Sequence, residues 1–240
     1  MIAIGNFFFK HRNLVFIFLY LALFIPSPAL FPPNVFGENY YLWPIITGLL
    51  ITTSGQLVRG ATIGLAYIIR GGKGGKVYAE DLVTGGIFAH CRNPLYLGNI
   101  LMLCGVGILS NSLLYLLIFI PAFLFIYQAI VLAEEHYLHH KFGEAYEQYF
   151  LDVNRWLPEL HHIGNTFHEM RFNWRRWILK EYNTQYVWLT GIALILLLKY
   201  NELTGYDVQL RNTLLAIILP VLLLLYLFAR YLKKSGKMRE

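Results

Sequence analysis

The chain has 240 residues, of which 57% are apolar and only 14% charged, and a formal net charge of +6. A soluble domain carries about 25% charged residues, so this composition excludes an ordinary soluble protein and describes an integral membrane one. The positive charge falls in short clusters beside apolar stretches, which directs it to anionic lipid headgroups and away from nucleic acid.

Apolar windows of about 20 residues mark membrane spans, and six are expected in chain order, at residues 13–31, 40–58, 95–110, 112–133, 185–198 and 212–232. The first is longer than the apolar core of a signal peptide and no small-x-small cleavage site follows it, so it is expected to persist in the mature chain. The second keeps helical character past Arg59 through "GATIGLAYIIR". About 30 residues at ~1.5 Å each exceed the hydrocarbon thickness, which puts Arg59 at the interface. Lys10 and Arg12 precede the first span, Arg70, Lys73, Lys76 and Arg92 follow the second, and Lys141, Arg155, Arg171, Arg175, Arg176 and Lys180 follow the fourth. Cytoplasmic loops retain positive charge, so both termini and both polar loops are expected in the cytoplasm.

Between the second and third spans lies "RGGKGGKVYAEDLVTGGIFAHCRNPLYLGN". A phosphate-binding loop needs G-x-x-x-x-G-K followed by Ser or Thr, set between a strand and a helix. Here the spacing is one residue short, Val77 follows, and the preceding element is a membrane helix, so Gly71 to Gly75 reads as a connector. The dinucleotide fingerprint fails on the same context. Asn93-Pro94 opens the third span with proline at its first helical position. Free N–H groups there, beside Arg92, suit an anion; anchoring at the headgroups is the other reading of Arg92.

The third and fourth spans are joined only by "SNS", a tight hairpin. The fourth ends in Glu134-Glu135, and a carboxylate at a membrane boundary is a functional candidate. If the helix runs on into "HYLHHKFGEAYEQY", one glutamate points inward and the other away. Gly143 is a weak point in that helix, and Pro158 ends the segment. His136 and His140 share a face, but a zinc helix reads H-E-x-x-H and Tyr137 follows His136; no metal site is expected. Cys91 and Cys104 are too few for a metal site and wrongly placed for a disulfide. Trp174 to Lys180 reads as a basic interfacial patch. Three units are expected: residues 1–39 with the first span, 40–160 as the core, and 161–240 as a C-terminal appendage of two spans.

Taken in order, "LVTGGIFAHCRNPLYLGN", the tight hairpin, "EEHYLHHKFGEAYEQY" and "VNRWLP" resemble the isoprenylcysteine carboxyl methyltransferase family of membrane enzymes, which extends to phospholipid N-methyltransferases. The resemblance covers about residues 40–158. It implies an all-α polytopic bundle that binds S-adenosylmethionine without a Rossmann domain, in a cytoplasm-facing pocket closed by the loop before the third span and the helix after the fourth. The glycines then look like the hinge entering a cofactor loop.

Residue by residue, the resemblance places Asp81, Leu82 and Val83 where the family's loop contacts the cofactor. Phe88 stands where many members have tyrosine. Arg92, Asn93, Pro94, Leu95 and Tyr96 fill the R-H/N-P-x-Y motif, with Asn93 for the commoner histidine, and Glu134 matches the cofactor-binding glutamate. An arginine that some members place one turn earlier to engage substrate is Ile130 here, which leaves the substrate open. Aromatic faces such as Phe88 and Tyr96 suit a cationic sulfonium. The acceptor is expected from the bilayer. Arg155 can orient a carboxylate bidentately, whereas Glu135 or Tyr149 can take the proton of an amine. O-methylation of an isoprenylcysteine-like carboxylate is the leading expectation, with N-methylation of a phospholipid headgroup, a nicotinamide-dependent membrane reductase and a non-catalytic scaffold as alternatives.

Overall fold

The computed structural model describes residues 1–65, 78–161, 163–236 and 238; Gly71 to Gly75, the expected hinge, lie outside them. The class is all-α, as expected. In chain order the helices are α1 (Ile2–Ala22), α2 (Pro33–Phe36), α3 (Leu42–Leu65), α4 (Pro94–Leu109), α5 (Ile120–Phe142), α6 (Glu144–Asp152), α7 (Ile163–Glu169), α8 (Trp174–Lys199) and α9 (Val208–Lys234).

Local chemistry sets most boundaries. Pro94 opens α4. Asn173 caps α8 by accepting from the Arg176 N–H at 2.9 Å, and Asp207 caps α9 by accepting from the N–H groups of Gln209 and Leu210 at 2.8 and 3.0 Å. Such side-chain caps satisfy donors that the helix itself leaves unpaired. Gly143 takes φ +54°, a left-handed value that glycine adopts without a Cβ clash. It therefore divides the run into α5 and α6 instead of merely weakening one helix.

Two helices, Tyr115–Phe142 and Val208–Lys234, are long and apolar enough to cross a membrane. A third qualifies if the bent halves of α1, Ile2–Arg12 and Leu14–Ala22, act as one span. The expected six are thus not reached by length and composition among the described residues. α4 has 16 residues, about 24 Å against a hydrocarbon core of about 30 Å. α3 and α8 are long enough, but they carry inward-turned polar groups, Thr52, Gln56 and Arg59 on one and Arg176 and Glu181 on the other, which dilute their hydropathy. α1 also begins and ends earlier than the apolar window, stopping before the proline-rich "SPALFPP", where proline cannot continue a helix.

The bundle is held by close backbone approach. α3 and α4 meet along Gly48, Thr52 and Gly55 on one side and Gly98, Gly105 and Leu109 on the other. A Cβ on Gly55 would lie 2.6 Å from the Gly98 carbonyl oxygen, and one on Gly48 would lie 2.6 Å from the Leu109 nitrogen. Small residues at such seams let membrane helices gain packing where lipid offers no hydrophobic drive. α1 lies against α5, and their core holds Leu19, Phe123, Tyr127 and Ile130. α8 packs on α3 and α4; Trp188 Nε1 donates to Thr52 Oγ1 of α3 at 2.7 Å, and at the far end Lys199 Nζ donates to the carbonyl of Leu23, which caps α1, at 2.8 Å. α8 is therefore part of the bundle, whereas α9 rests on α8 with no residue buried.

Candidate functional site

The turn before α4 is fastened by charge. Arg92 donates its backbone N–H to the Asn154 carbonyl at 2.9 Å. Its side chain reaches Glu135 Oε1 at 3.2 Å and the carbonyls of Phe150 and Val153 at 2.5 Å, and its guanidinium lies 4.2 Å from the Phe150 ring centre. Arg155 grips the other oxygen of Glu135 at 2.9 and 2.7 Å. Cys91 adds weak bonds from its Sγ to the carbonyls of Arg155 and Trp156, and burial pushes its thiol pKa up. This clasp joins the α4 entrance to α5 and to the "VNRW" turn.

The clasp also orients Asn93. Its Nδ2 donates to Glu135 Oε1 at 3.2 Å and to the Arg155 carbonyl at 3.4 Å, which uses both hydrogens. Its Oδ1 is consequently turned away, and it is buried with no hydrogen-bond partner. A buried acceptor in that condition costs about 1–3 kcal/mol and calls for a cause such as a ligand.

Asn93 lines a cavity of about 670 Å³, within the range of about 300–1,000 Å³ typical of small-molecule sites. Phe88, Pro94, Leu95, Tyr96 and Glu134 share that wall. Tyr96 donates its hydroxyl to Glu134 Oε1 at 2.7 Å. Successive helical residues point about 100° apart, so Glu134 faces the cavity while Glu135 faces the clasp. Which of the two glutamates points inward is thereby settled.

The floor is a second polar network. Arg59 binds Glu181 through Nε and an Nη at 3.0 and 2.5 Å and Asn99 Oδ1 at 2.5 Å, while Asn99 Nδ2 donates to the Tyr127 hydroxyl at 2.7 Å. Gln56 Nε2 reaches Glu181 at 3.5 Å. The remaining walls come from α1, through Arg12, Phe16, Ile17 and Tyr20, and from α8, through Lys180, Asn183, Thr184 and Val187.

Of the expected site residues, Phe88, Asn93, Pro94, Leu95, Tyr96 and Glu134 come together on the cavity, and six others do not line it. Arg92, Glu135 and Arg155 form the clasp. Their polar atoms are spent on one another and on carbonyls, which suits holding the loop and not reacting with an acceptor. Tyr149 is likewise engaged, donating to the Phe88 carbonyl at 2.8 Å. Asp81 is exposed, Val83 is half-buried, and Leu82 packs with Leu138 of α5 and Tyr146 and Tyr149 of α6. Ile130 is fully buried in the core. Glu181, Asn99 and Tyr20 were not singled out from sequence, although Asn99 and Glu181 carry the signal of a polar group in a helix otherwise fit for lipid. Among the described residues no three His, Cys, Asp or Glu side chains converge as metal ligands.

Residues 45–145 match the sequence model of the phospholipid methyltransferase family. Over 148 residues, 60% of this chain and 63% of the relative, the chain is 30% identical to the cobalt-zinc-cadmium resistance protein CzcN of Cupriavidus metallidurans. Over 118 residues, 48% and 53% of the two chains, it is 31% identical to the nickel-cobalt-cadmium resistance protein NccN of Alcaligenes xylosoxydans xylosoxydans. A protein-S-isoprenylcysteine O-methyltransferase of Schizosaccharomyces pombe is 34% identical over 77 residues, 32% of this chain and 33% of that one. The matches thus span less than two thirds of each relative's length. No solved structure matches. Residues 45–145 are thus similar to the phospholipid methyltransferase family, and the chain is distantly similar to the isoprenylcysteine methyltransferases that its motifs resemble.

Proposed function

We propose, from that similarity, that the protein is an S-adenosylmethionine-dependent methyltransferase acting on a lipid or lipidated acceptor, with an isoprenylcysteine-type carboxylate as the preferred acceptor. The observation that carries this reading is one wall of one cavity. There Asn93, whose buried Oδ1 has no hydrogen-bond partner, shares the wall with the Tyr96–Glu134 pair and Phe88.

These residues fit the cofactor. Asn93 Oδ1 offers an acceptor to a hydroxyl or ammonium group, Glu134 offers negative charge, and the rings of Phe88 and Tyr96 offer faces that attract a cation. When bound, S-adenosylmethionine supplies a sulfonium methyl group that passes to the acceptor oxygen as the carbon–sulfur bond breaks and its electron pair returns to sulfur. Phe88, Asn93, Pro94, Leu95, Tyr96 and Glu134 hold the cofactor. Arg92, Glu135 and Arg155 act through Asn93 by fixing its amide. Positioning of this kind supplies several kcal/mol of a transfer barrier, about 7–11 in well-oriented systems. In the same reading all six apolar segments cross the bilayer, with the polar faces of α3 and α8 turned to the cavity and both termini cytoplasmic.

N-methylation of a phospholipid headgroup is the second reading, favoured by the family match at residues 45–145. Calorimetric titration of S-adenosylhomocysteine and of reduced nicotinamide cofactor into the detergent-purified chain tests the cofactor. Binding of the first alone is expected, and it should be lost in Glu134→Gln and in Asn93→Ala. Unchanged binding in both variants overturns the site, and binding of the nicotinamide alone turns the reading to a reductase.

A further inference from the structure

Arg12 lines the cavity from α1, outside residues 45–145, and the wall of Phe88, Asn93 to Tyr96 and Glu134 does not account for it. The start of α1 is set close against α5. A Cβ on Gly5 would meet the Ala129 carbonyl oxygen and lie 2.8 Å from the Cβ of Ala133, the residue before Glu134. About two turns later Arg12 stacks over Phe9 at 4.6 Å, and Phe9 is itself buried in the core. Phe16 follows on the same cavity surface, with its ring 6.0 Å from that of Tyr127, which lies 5.0 Å from the ring of Tyr96. α1 is thus seated against the rings that lead to the Tyr96–Glu134 pair.

The motif wall has little to offer an anion. Glu134 carries negative charge and already takes the Tyr96 hydroxyl. Asn93 spends both amide hydrogens on Glu135 and the Arg155 carbonyl, and Arg92 is engaged by Glu135 and two carbonyls. The spare donors there are the backbone N–H groups that open α4, which carry only partial charge. S-adenosylmethionine ends in an amino acid, whose ammonium suits Glu134 and whose carboxylate is repelled by it. Among the cations lining the cavity, Arg59 is neutralised by Glu181 and Lys180 is exposed. Arg12 is half-buried and has no carboxylate partner among the described residues. A cation withdrawn from water is costly until an anion joins it, and a guanidinium grips a carboxylate through two parallel N–H bonds.

Resting on the methyltransferase reading, we infer that Arg12 is a further cofactor-binding residue, whose guanidinium takes the carboxylate at the amino-acid end of S-adenosylmethionine. Glu134 serves the positive groups of the same molecule. Cofactor affinity therefore depends on α1, a helix that the matched segment does not include.

The test is calorimetric titration of the detergent-purified full chain with S-adenosylhomocysteine and with its decarboxylated analogue, which keeps the amine and lacks only the carboxylate. The unaltered chain should bind the first at least about tenfold more tightly, as expected for a charge-assisted pair. Arg12→Gln should remove that preference by weakening S-adenosylhomocysteine about tenfold while leaving the analogue unchanged. Arg12→Lys should restore part of it, since the charge returns without the planar fork, and Lys180→Gln should alter neither ligand. Equal weakening of both ligands in Arg12→Gln marks a structural role and overturns the inference. A preference that survives Arg12→Gln, or that is lost in Lys180→Gln instead, overturns it as well and leaves the methyltransferase reading standing. So does equal binding of the two ligands by the unaltered chain, an outcome that needs no variant to fold. Binding of neither ligand by the unaltered chain overturns the inference together with the reading it rests on.

Discussion

Glu134 and Glu135 are chain neighbours, comparably buried at 7% and 6% exposure, yet they belong to opposite kinds of polar region. Around Glu135 every group has a partner: two arginines, one asparagine amide and the carbonyls of a turn 15 to 20 residues away. Glu134 accepts from the Tyr96 hydroxyl, and the buried Oδ1 of Asn93, on the same cavity wall, has no hydrogen-bond partner. A satisfied buried network rigidifies its surroundings, whereas a half-satisfied one stays costly until something completes it. The first is suited to holding a loop, and the second to receiving a ligand. The two share Asn93, whose side-chain nitrogen belongs to the clasp and which also lines the cavity.

Glu135→Ala should show the largest effect. It leaves Arg92, with a side chain 7% exposed, unpaired in the interior, a change that costs about 3–5 kcal/mol. A large drop in the thermal unfolding midpoint in detergent is expected, and an unshifted midpoint would mean that the clasp does not hold the α4 entrance. Glu134→Gln, one residue away, should leave that midpoint nearly unchanged while weakening S-adenosylhomocysteine about tenfold or more, as for the loss of a charge-assisted contact. Equal destabilisation by the two substitutions would erase the distinction.

Arg155→Lys keeps the charge but loses the planar two-point grip on Glu135. A destabilisation of about 1 kcal/mol is expected, in the range of one ordinary hydrogen bond, with cofactor affinity falling only as far as Asn93 is loosened. Tyr96→Phe removes the hydroxyl from Glu134 and should change affinity a few-fold with little loss of stability. Cys91 offers a direct readout of the clasp. Burial raises its thiol pKa, and the thiolate is the reactive form, so maleimide labelling of folded protein near pH 7 should be slow at this position. In Glu135→Ala it should quicken as the turn opens, whereas in Glu134→Gln it should not.

Much of the cavity wall was legible before any coordinates. The family resemblance points to Phe88, Asn93 to Tyr96 and Glu134, and those residues do gather on one surface. Asp81, Leu82 and Val83 belong to the same loop in the resemblance but do not line the cavity: Leu82 packs with Leu138 and Tyr146, and Lys141 bonds to the Ala79 and Glu80 carbonyls just before it. The span at residues 13–31 was displaced because hydropathy alone does not weigh the prolines that end α1.

The sequence by itself determined the all-α class and the membrane character, because each depends on local composition, and the resemblance to a family pointed to the motif residues on the wall. Only the tertiary structure decided which glutamate faces the cavity, since hydropathy does not set the phase of α5 against its neighbours. It alone joined Arg59 to Glu181 across 122 positions and brought Arg12 and Lys180 to one cleft. Those pairings arise from how helices pack, which no local periodicity records.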